Sequence, residues 1–445
     1  MPKPLPKDNP SGLASMELPE VATTRLTQDK RRKILKELAK VVEKRFYDPP
    51  LRNVDWVSAL DKHRDGIIDA PSDEIFERRV MSLLSELGSS HIGFYHESLD
   101  RSSSKMAISA NYVRLEQDQA EYWVFQDVHE GGPASRAGIK PGDVLLSVDG
   151  RSFRPPEHPF FPVETTVKIE VLTSRLQKAE RTVVIPEPVR KRGQLPYVPP
   201  DPIVAHRRLG HDLGYVRVAM YPGEVGVEVA NDVSHAIQSL QPIRRLILDL
   251  RGNTGGGIGV LRIMSLLTPK KIQVGLFANG KAVQTSEPKP HDFAIDRIPQ
   301  KKSELLPLTD SFFTAMVRTK LRKRRPCIAV MMEGLGPQDF HSRIVLLIDR
   351  HTASANEMLI AFAKENHLAT IVGEPTPGRM LGGNKFKLPF GYRVALPVGE
   401  YRTSEGKNLE GTSVRPDVEV LFDAELARSG VDRQLDRAIE IASEL

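Results

Sequence analysis

The segment Ile344–Met358, IVLLIDRHTASANEM, decides how this chain is read. An apolar run of strand character ends at the charged pair Asp349-Arg350, turns through His351-Thr352-Ala353, and delivers Ser354 to the start of the helical pattern NEMLIAFAKENH. A serine so placed stands at a strand-to-helix turn, beside backbone amides that no helical carbonyl uses. It is a nucleophile candidate with an anion site attached, although a serine at a helix start is more often a cap.

A second segment supplies the other half of such a site. Arg244–Arg251, RRLILDLR, reads as a strand ending in the turn Gly252-Asn253-Thr254-Gly255-Gly256-Gly257, and the apolar-periodic IGVLRIMSLL after it reads as a helix. Glycines at a strand end let the backbone approach a ligand closely and point its amides into a cleft. That geometry suits an oxyanion hole and would suit a phosphate almost as well.

Together these motifs resemble the serine peptidases that include the tail-specific and C-terminal processing proteases and the catalytic half of tricorn. The nucleophile turn is matched by Thr352-Ala353-Ser354-Ala355-Asn356-Glu357, and the strand with the oxyanion glycine by Asp249-Leu250-Arg251-Gly252-Asn253-Thr254-Gly255-Gly256. The family's motif has asparagine where Gly252 stands. Two further landmarks follow in order, Val372-Gly373-Glu374-Pro375-Thr376 and Val414-Arg415-Pro416-Asp417-Val418-Glu419-Val420. The resemblance implies a crotonase/ClpP-like α/β core that hydrolyses peptide bonds through Ser354, with the amides of Ala355 and of Gly255 or Gly256 holding the oxyanion.

The base is the open point. The tail-specific branch places a lysine soon after the Gly-Glu-Pro-Thr landmark, and the matching position here is Arg379, which cannot be deprotonated at useful pH. Lys385 is one substitute. The tricorn branch instead uses a Ser-His pair ahead of its PDZ domain and a late glutamate, matched by Ser90-His91 and by Glu410 in Asn408-Leu409-Glu410-Gly411. A histidine titrates near working pH, and a carboxylate can fix its tautomer and stabilise its cation. The relay His91–Ser90–Glu410 ranks above Lys385, and Arg379 is left as a substrate-binding candidate.

Around this site the chain divides into modules that make it α/β and multi-domain. Residues 27–103 carry two helical patterns, KRRKILKELAKVVEKRF and FERRVMSLLSEL, and form an N-terminal helical domain that includes His91. Residues 104–188 change to short strand-like runs around GGPASRAGIKPGDVLLSVDG, Gly131–Gly150, which strongly resembles the PDZ domains of bacterial proteases. Such domains bind peptides by strand addition and capture a terminal carboxylate on backbone amides. The matching loop, Met106-Ala107-Ile108-Ser109, contains no glycine, so Met106 and Ile108 are candidates for contact with an internal segment instead. A proline-rich linker spans 189–204 and the catalytic core 205–445. Residues 1–26 read as a disordered tail and 281–323 as an insertion near the cleft.

Composition bounds the partners. A chain of 445 residues with ordinary apolar and charged fractions has material for two or three domains. The net charge of +6 sits largely in Lys30–Lys33 and Arg322–Arg325, with few aromatics nearby, which favours solvated helix faces over nucleic-acid contact. No apolar run is long enough to span a bilayer, the first residues lack the pattern of a secretory signal, and Cys327 is the only cysteine. These features point to a cytoplasmic setting. With no HExxH spacing and no cysteine partner, no metal or other cofactor is expected. The expected partner is a polypeptide substrate, and the resemblance adds the possibility of a homo-oligomer. The competing class is a PDZ scaffold whose core is degenerate or carries a ligand.

Overall fold

A computed structural model describes residues 26–444 apart from 118–119, 174–176, 192–194, 223–225, 258, 279–293, 296–326, 333 and 335–342. The expected tail 1–26, except Leu26, and the expected insertion 281–323, except the short strand Ala294–Ile295, lie outside the described residues, as does the cluster Arg322–Arg325.

Three helices open the described chain, each started by a side chain that accepts an otherwise orphaned amide. Thr27 caps Gln28–Arg45, Asp55 caps Trp56–Ile68 and Ser72 caps Asp73–Ser85. Their apolar faces, with Ile34, Leu38, Val42, Phe76, Val80 and Leu83 fully buried, do not close on themselves. They share one core with Phe94, Leu381, Tyr392, Val394 and Leu396. Phe76 meets Phe94 and Tyr392 edge-on, at centroid distances of 5.7 and 5.6 Å. The strand Gly93–His96 pairs antiparallel with Tyr392–Thr403. The first helices are thus packed onto the strands Leu381–Lys387 and Tyr392–Thr403 of the core. The basic run at Lys30–Lys33 is also split, because Arg31 turns inward to donate to the carbonyls of Ile68 and Ala70.

The PDZ module is a sheet of Ala110–Gln117, Ala120–Val128, Val144–Val148, Thr165–Leu172 and Lys178–Ile185. Its short helix Pro133–Arg136 is ended by Gly138 at φ 81°, as a glycine after a helix allows. The linker is part of the packing: Val198 joins the PDZ core and donates its amide to Met106 O, and its last residue begins the strand Val204–Arg208.

The C-terminal core is built on a sheet in the order Val204–Arg208, Leu213–Val218, Arg245–Asp249, Arg343–Ile348, Thr370–Gly373 and Val418–Glu419, parallel except for its first pair. A parallel sheet needs cover on both faces, which explains the unbroken apolar run of the central strands. Ile344, Leu346 and Ile348 face the helices Val260–Leu267 and Ala355–Glu365, while Val345 and Leu347 face Arg433–Glu444. The strands Arg245–Asp249 and Arg343–Ile348 are register neighbours, so the glycine turn and the serine turn emerge side by side at one end of the sheet. Adjacent parallel strands place both motifs at the carboxyl edge, where open α/β sheets hold their ligands.

Candidate active site

Ser354 sits between the buried strand Arg343–Ile348 and the helix Ala355–Glu365, with φ 56° and ψ −119°. That conformation costs an L residue about 1–3 kcal/mol and persists only where the surroundings impose it. Here Glu357, one turn into the helix and fully buried, supplies the constraint. Its carboxylate accepts Ser354 N (3.0 Å), Thr376 Oγ1 (2.7 Å), Gly378 N (2.7 Å) and Arg379 N (2.8 Å). Burial still pushes its pKa up against these four bonds. Sequence reasoning passed over this residue, although the spacing Ser354-x-x-Glu357 is that of a capping box and could have found it.

The relay residues expected from the sequence meet at this serine. His91 Nε2 lies 3.2 Å from Ser354 Oγ, and Ser90 Oγ lies 2.8 Å from His91 Nδ1. Glu410 receives both groups of Ser90, the hydroxyl at 2.8 Å and the amide at 2.8 Å. The tautomer follows from the donors. Because the Ser90 hydroxyl donates to a carboxylate, it can only accept from Nδ1–H, which leaves Nε2 bare toward the Ser354 hydroxyl. Burial lowers the His91 pKa, the Glu410 charge opposes that shift, and the Arg379 charge adds to it. Gly383 lies under the imidazole, where an added Cβ would stand 3.5 Å from Cδ2.

The glycine turn closes the other side. A Cβ on Gly255 would come within 2.8 Å of Ser354 Cβ and 2.9 Å of Ala355 N, so glycine is required for this approach. Asn253 ties the two turns together: its Nδ2 donates to Val218 O, its Oδ1 accepts Gly255 N at 3.0 Å, and its carbonyl accepts Ala353 N and Asn356 Nδ2. The choice between Gly255 and Gly256 is narrowed by that bond. Gly255 N is engaged, whereas among the described residues the amides of Gly256 and Ala355 have no hydrogen-bond partner.

Other expectations fall differently. Lys385 lies exposed on the strand Leu381–Lys387, lining the large cleft beside Gly255 and Gly256. Arg379 is exposed at the site and close enough for its charge to act on His91. Met106 lines the cleft, but Ile108 does not: it is fully buried in the PDZ core, because the short helix Ser104–Ile108 turns that side chain inward. Of the other histidines near these motifs, His351 gives its backbone amide to Asp349, and the ring of His96 contacts Ser98 and Phe390 O. The cleft measures about 1030 Å³ and runs from the first helices and the PDZ module to the glycine turn, past Phe94, Phe153, Tyr197 and Tyr221. Among the described residues no cluster of three His, Cys, Asp or Glu side chains could hold a metal, and no helix is long and apolar enough to cross a membrane.

Fold and site together define an α/β chain with a PDZ module and a serine–histidine–glutamate constellation. Residues 212–420 match the model of peptidase family S41, and residues 124–158 match that of the PDZ domain. Over residues 212–420 the core is therefore similar to peptidase family S41, and the relatives it resembles are carboxyl-terminal-processing proteases and a tricorn homolog. It is 26% identical over 312 residues to the carboxyl-terminal-processing protease of Synechocystis, covering 64% of this chain and 56% of that protein. With the tricorn protease homolog 2 of Streptomyces coelicolor it shares 23% identity over 439 residues, covering 92% of this chain and 32% of that protein. The chain thus spans little more than half the length of the first and about a third of the second. The fold is also that of the photosystem II D1 C-terminal processing protease, at a TM-score of 0.53, 18% identity, and coverage of 88% of this chain and 93% of that one.

Proposed function

We propose that the chain is a serine endopeptidase that cleaves polypeptides through an acyl-enzyme. The hydrogen-bonded series Ser354–His91–Ser90–Glu410 carries this reading. Ser354 Oγ attacks the scissile carbonyl carbon while its proton passes to His91 Nε2. The negative charge that develops on the carbonyl oxygen falls to the amides of Gly256 and Ala355. As the C–N bond breaks, Nε2 returns the proton to the leaving amine. A water then gives a proton to Nε2, adds to the acyl carbon, and releases Ser354 when the proton returns to Oγ. Glu410, acting through Ser90, stabilises the imidazolium in each half of the cycle.

The preferred substrate is an extended, unstructured segment. A cleft reached from between the first helices and the PDZ module admits a strand rather than a folded domain, and its aromatic walls favour apolar side chains. Arg379, exposed beside the relay, is a binding group for the acidic or carbonyl atoms of that segment, and an assembly of several copies is compatible with the reading. The test is cleavage of casein by the wild type and by Ser354→Ala. Removal of a nucleophile costs about 10³-fold or more in turnover. Equal cleavage by both proteins would overturn the assignment.

A further inference from the structure

We propose that Asn111 and Asp127 of the PDZ module are positioning residues for the turn Gly252–Gly256, so that the docked module completes the oxyanion site; this rests on the serine-peptidase reading above. The two residues are register partners on adjacent PDZ strands and project together onto the core. Asn111 Nδ2 donates to Gly252 O at 3.1 Å. From the core side, Asp349 accepts Gly252 N at 3.0 and 3.1 Å and also holds His351 N and Thr352 Oγ1. Gly252 is thus gripped by its amide from the serine turn and by its carbonyl from the PDZ module. Its carbonyl lies in the peptide plane that leads into Asn253, and Asn253 Oδ1 in turn holds Gly255 N. Two hydrogen bonds, joined by the Gly252–Asn253 peptide, thus lead from Asn111 to Gly255 N, one residue before the free amide of Gly256.

Asp127 fixes the module against this turn. Its carboxylate pairs with Arg217 on the neighbouring core strand and lies 3.9 Å from Lys105 Nζ, and all three side chains are largely out of solvent. Burial would raise the Asp127 pKa, but the Arg217 and Lys105 charges together hold it below its usual value. Removing one partner of this cluster in the docked state would leave the others buried and uncompensated. The sequence carries a matching adjustment. Gly252 has φ 70°, and a Cβ there would run into the Asp127 carboxylate. The asparagine of the family's motif would not fit at this position beside that aspartate.

The experiment uses the full chain with Asn111→Ala, the charge-removing Asp127→Asn and, from the core side, Gly252→Ala. It reads three quantities: the rate of fluorophosphonate labelling at Ser354, kcat and KM on a peptide too short to reach the PDZ sheet, and hydrogen exchange of the 252–257 segment. Loss of well-placed oxyanion donors is expected to slow labelling and kcat by at least about tenfold with KM little changed, and to speed exchange in 252–257. A merely structural role would lower Tm while folded protein labelled at the wild-type rate. If the variants that fold label and exchange in 252–257 like the wild type, the proposal is overturned. Should the wild type itself fail to label, the peptidase reading falls, and the exchange measurement still decides whether the PDZ residues hold the turn.

Discussion

His91 Nε2 lies 3.2 Å from Ser354 Oγ although 263 residues separate them in the chain. The strand Gly93–His96 makes the meeting possible, because its pairing with Tyr392–Thr403 draws the histidine over Gly383 and onto the end of the parallel sheet.

The pH dependence of kcat/KM should show that histidine. Activity needs neutral Nε2, so it falls as pH drops through the His91 pKa. Burial, with Arg379 acting in the same direction, places that limb below the ordinary value of about 6.5. Arg379→Ala removes a charge that disfavours the imidazolium and should move the limb up. Glu410→Gln removes one that favours it and should move the limb down, with a lower maximal rate. Limbs that stay in place in both variants would dissociate the titration from these neighbours.

Ser90→Ala leaves Nδ1 and Glu410 without the hydroxyl that joins them. Turnover should drop about 10²–10⁴-fold, the range for a disabled acid–base group, while KM for a short peptide stays near the wild-type value. Lys385→Ala should keep most of its kcat. The reverse ranking of these two variants would favour a displaced lysine base.

Glu357→Gln keeps one acceptor oxygen and turns the other into a donor facing backbone amides. Two of the four donors around it lose their partner, at about 1–3 kcal/mol each for buried groups. Thermal unfolding should therefore begin at lower temperature, and the Ser354 turn should relax from its strained conformation with loss of kcat. A variant as stable and active as the wild type would show that the turn holds itself.

Phe76→Ala tests the fusion of the first helices to the core. The ring is fully buried against Phe94 and Tyr392, and its removal should cost about 3–5 kcal/mol. Because Phe94 follows His91 by three residues, peptidase activity should be lost together with this packing in a single unfolding transition. Two separated transitions would mean that the helices fold as an independent domain.

Much of this site was legible before the structure, for a physical reason. Ser354, Gly255 and Gly256 lie in turns whose backbone demands leave local marks: glycines where a side chain would collide, and an apolar run that stops at a polar turn; Glu410 carries no such mark and came from the family resemblance. Ser90 and His91 were found by their order relative to the PDZ module. The contacts that were not legible join distant surfaces. Asn111 and Asp127 are paired near the ends of two strands, Asn111 at a register shift, and nothing in the sequence tells that they face Gly252. Ile108 failed as a binding candidate for the related reason that a five-residue helix has no periodicity long enough to show which side is buried.

The most direct test of the relay is to expose the full chain to a fluorophosphonate probe and map the adduct by mass spectrometry in the wild type, His91→Ala and Lys385→Ala. The account predicts one adduct on Ser354, lost or greatly slowed in His91→Ala and retained in Lys385→Ala. An adduct on another residue, or Ser354 labelling that survives His91→Ala and disappears in Lys385→Ala, would contradict it.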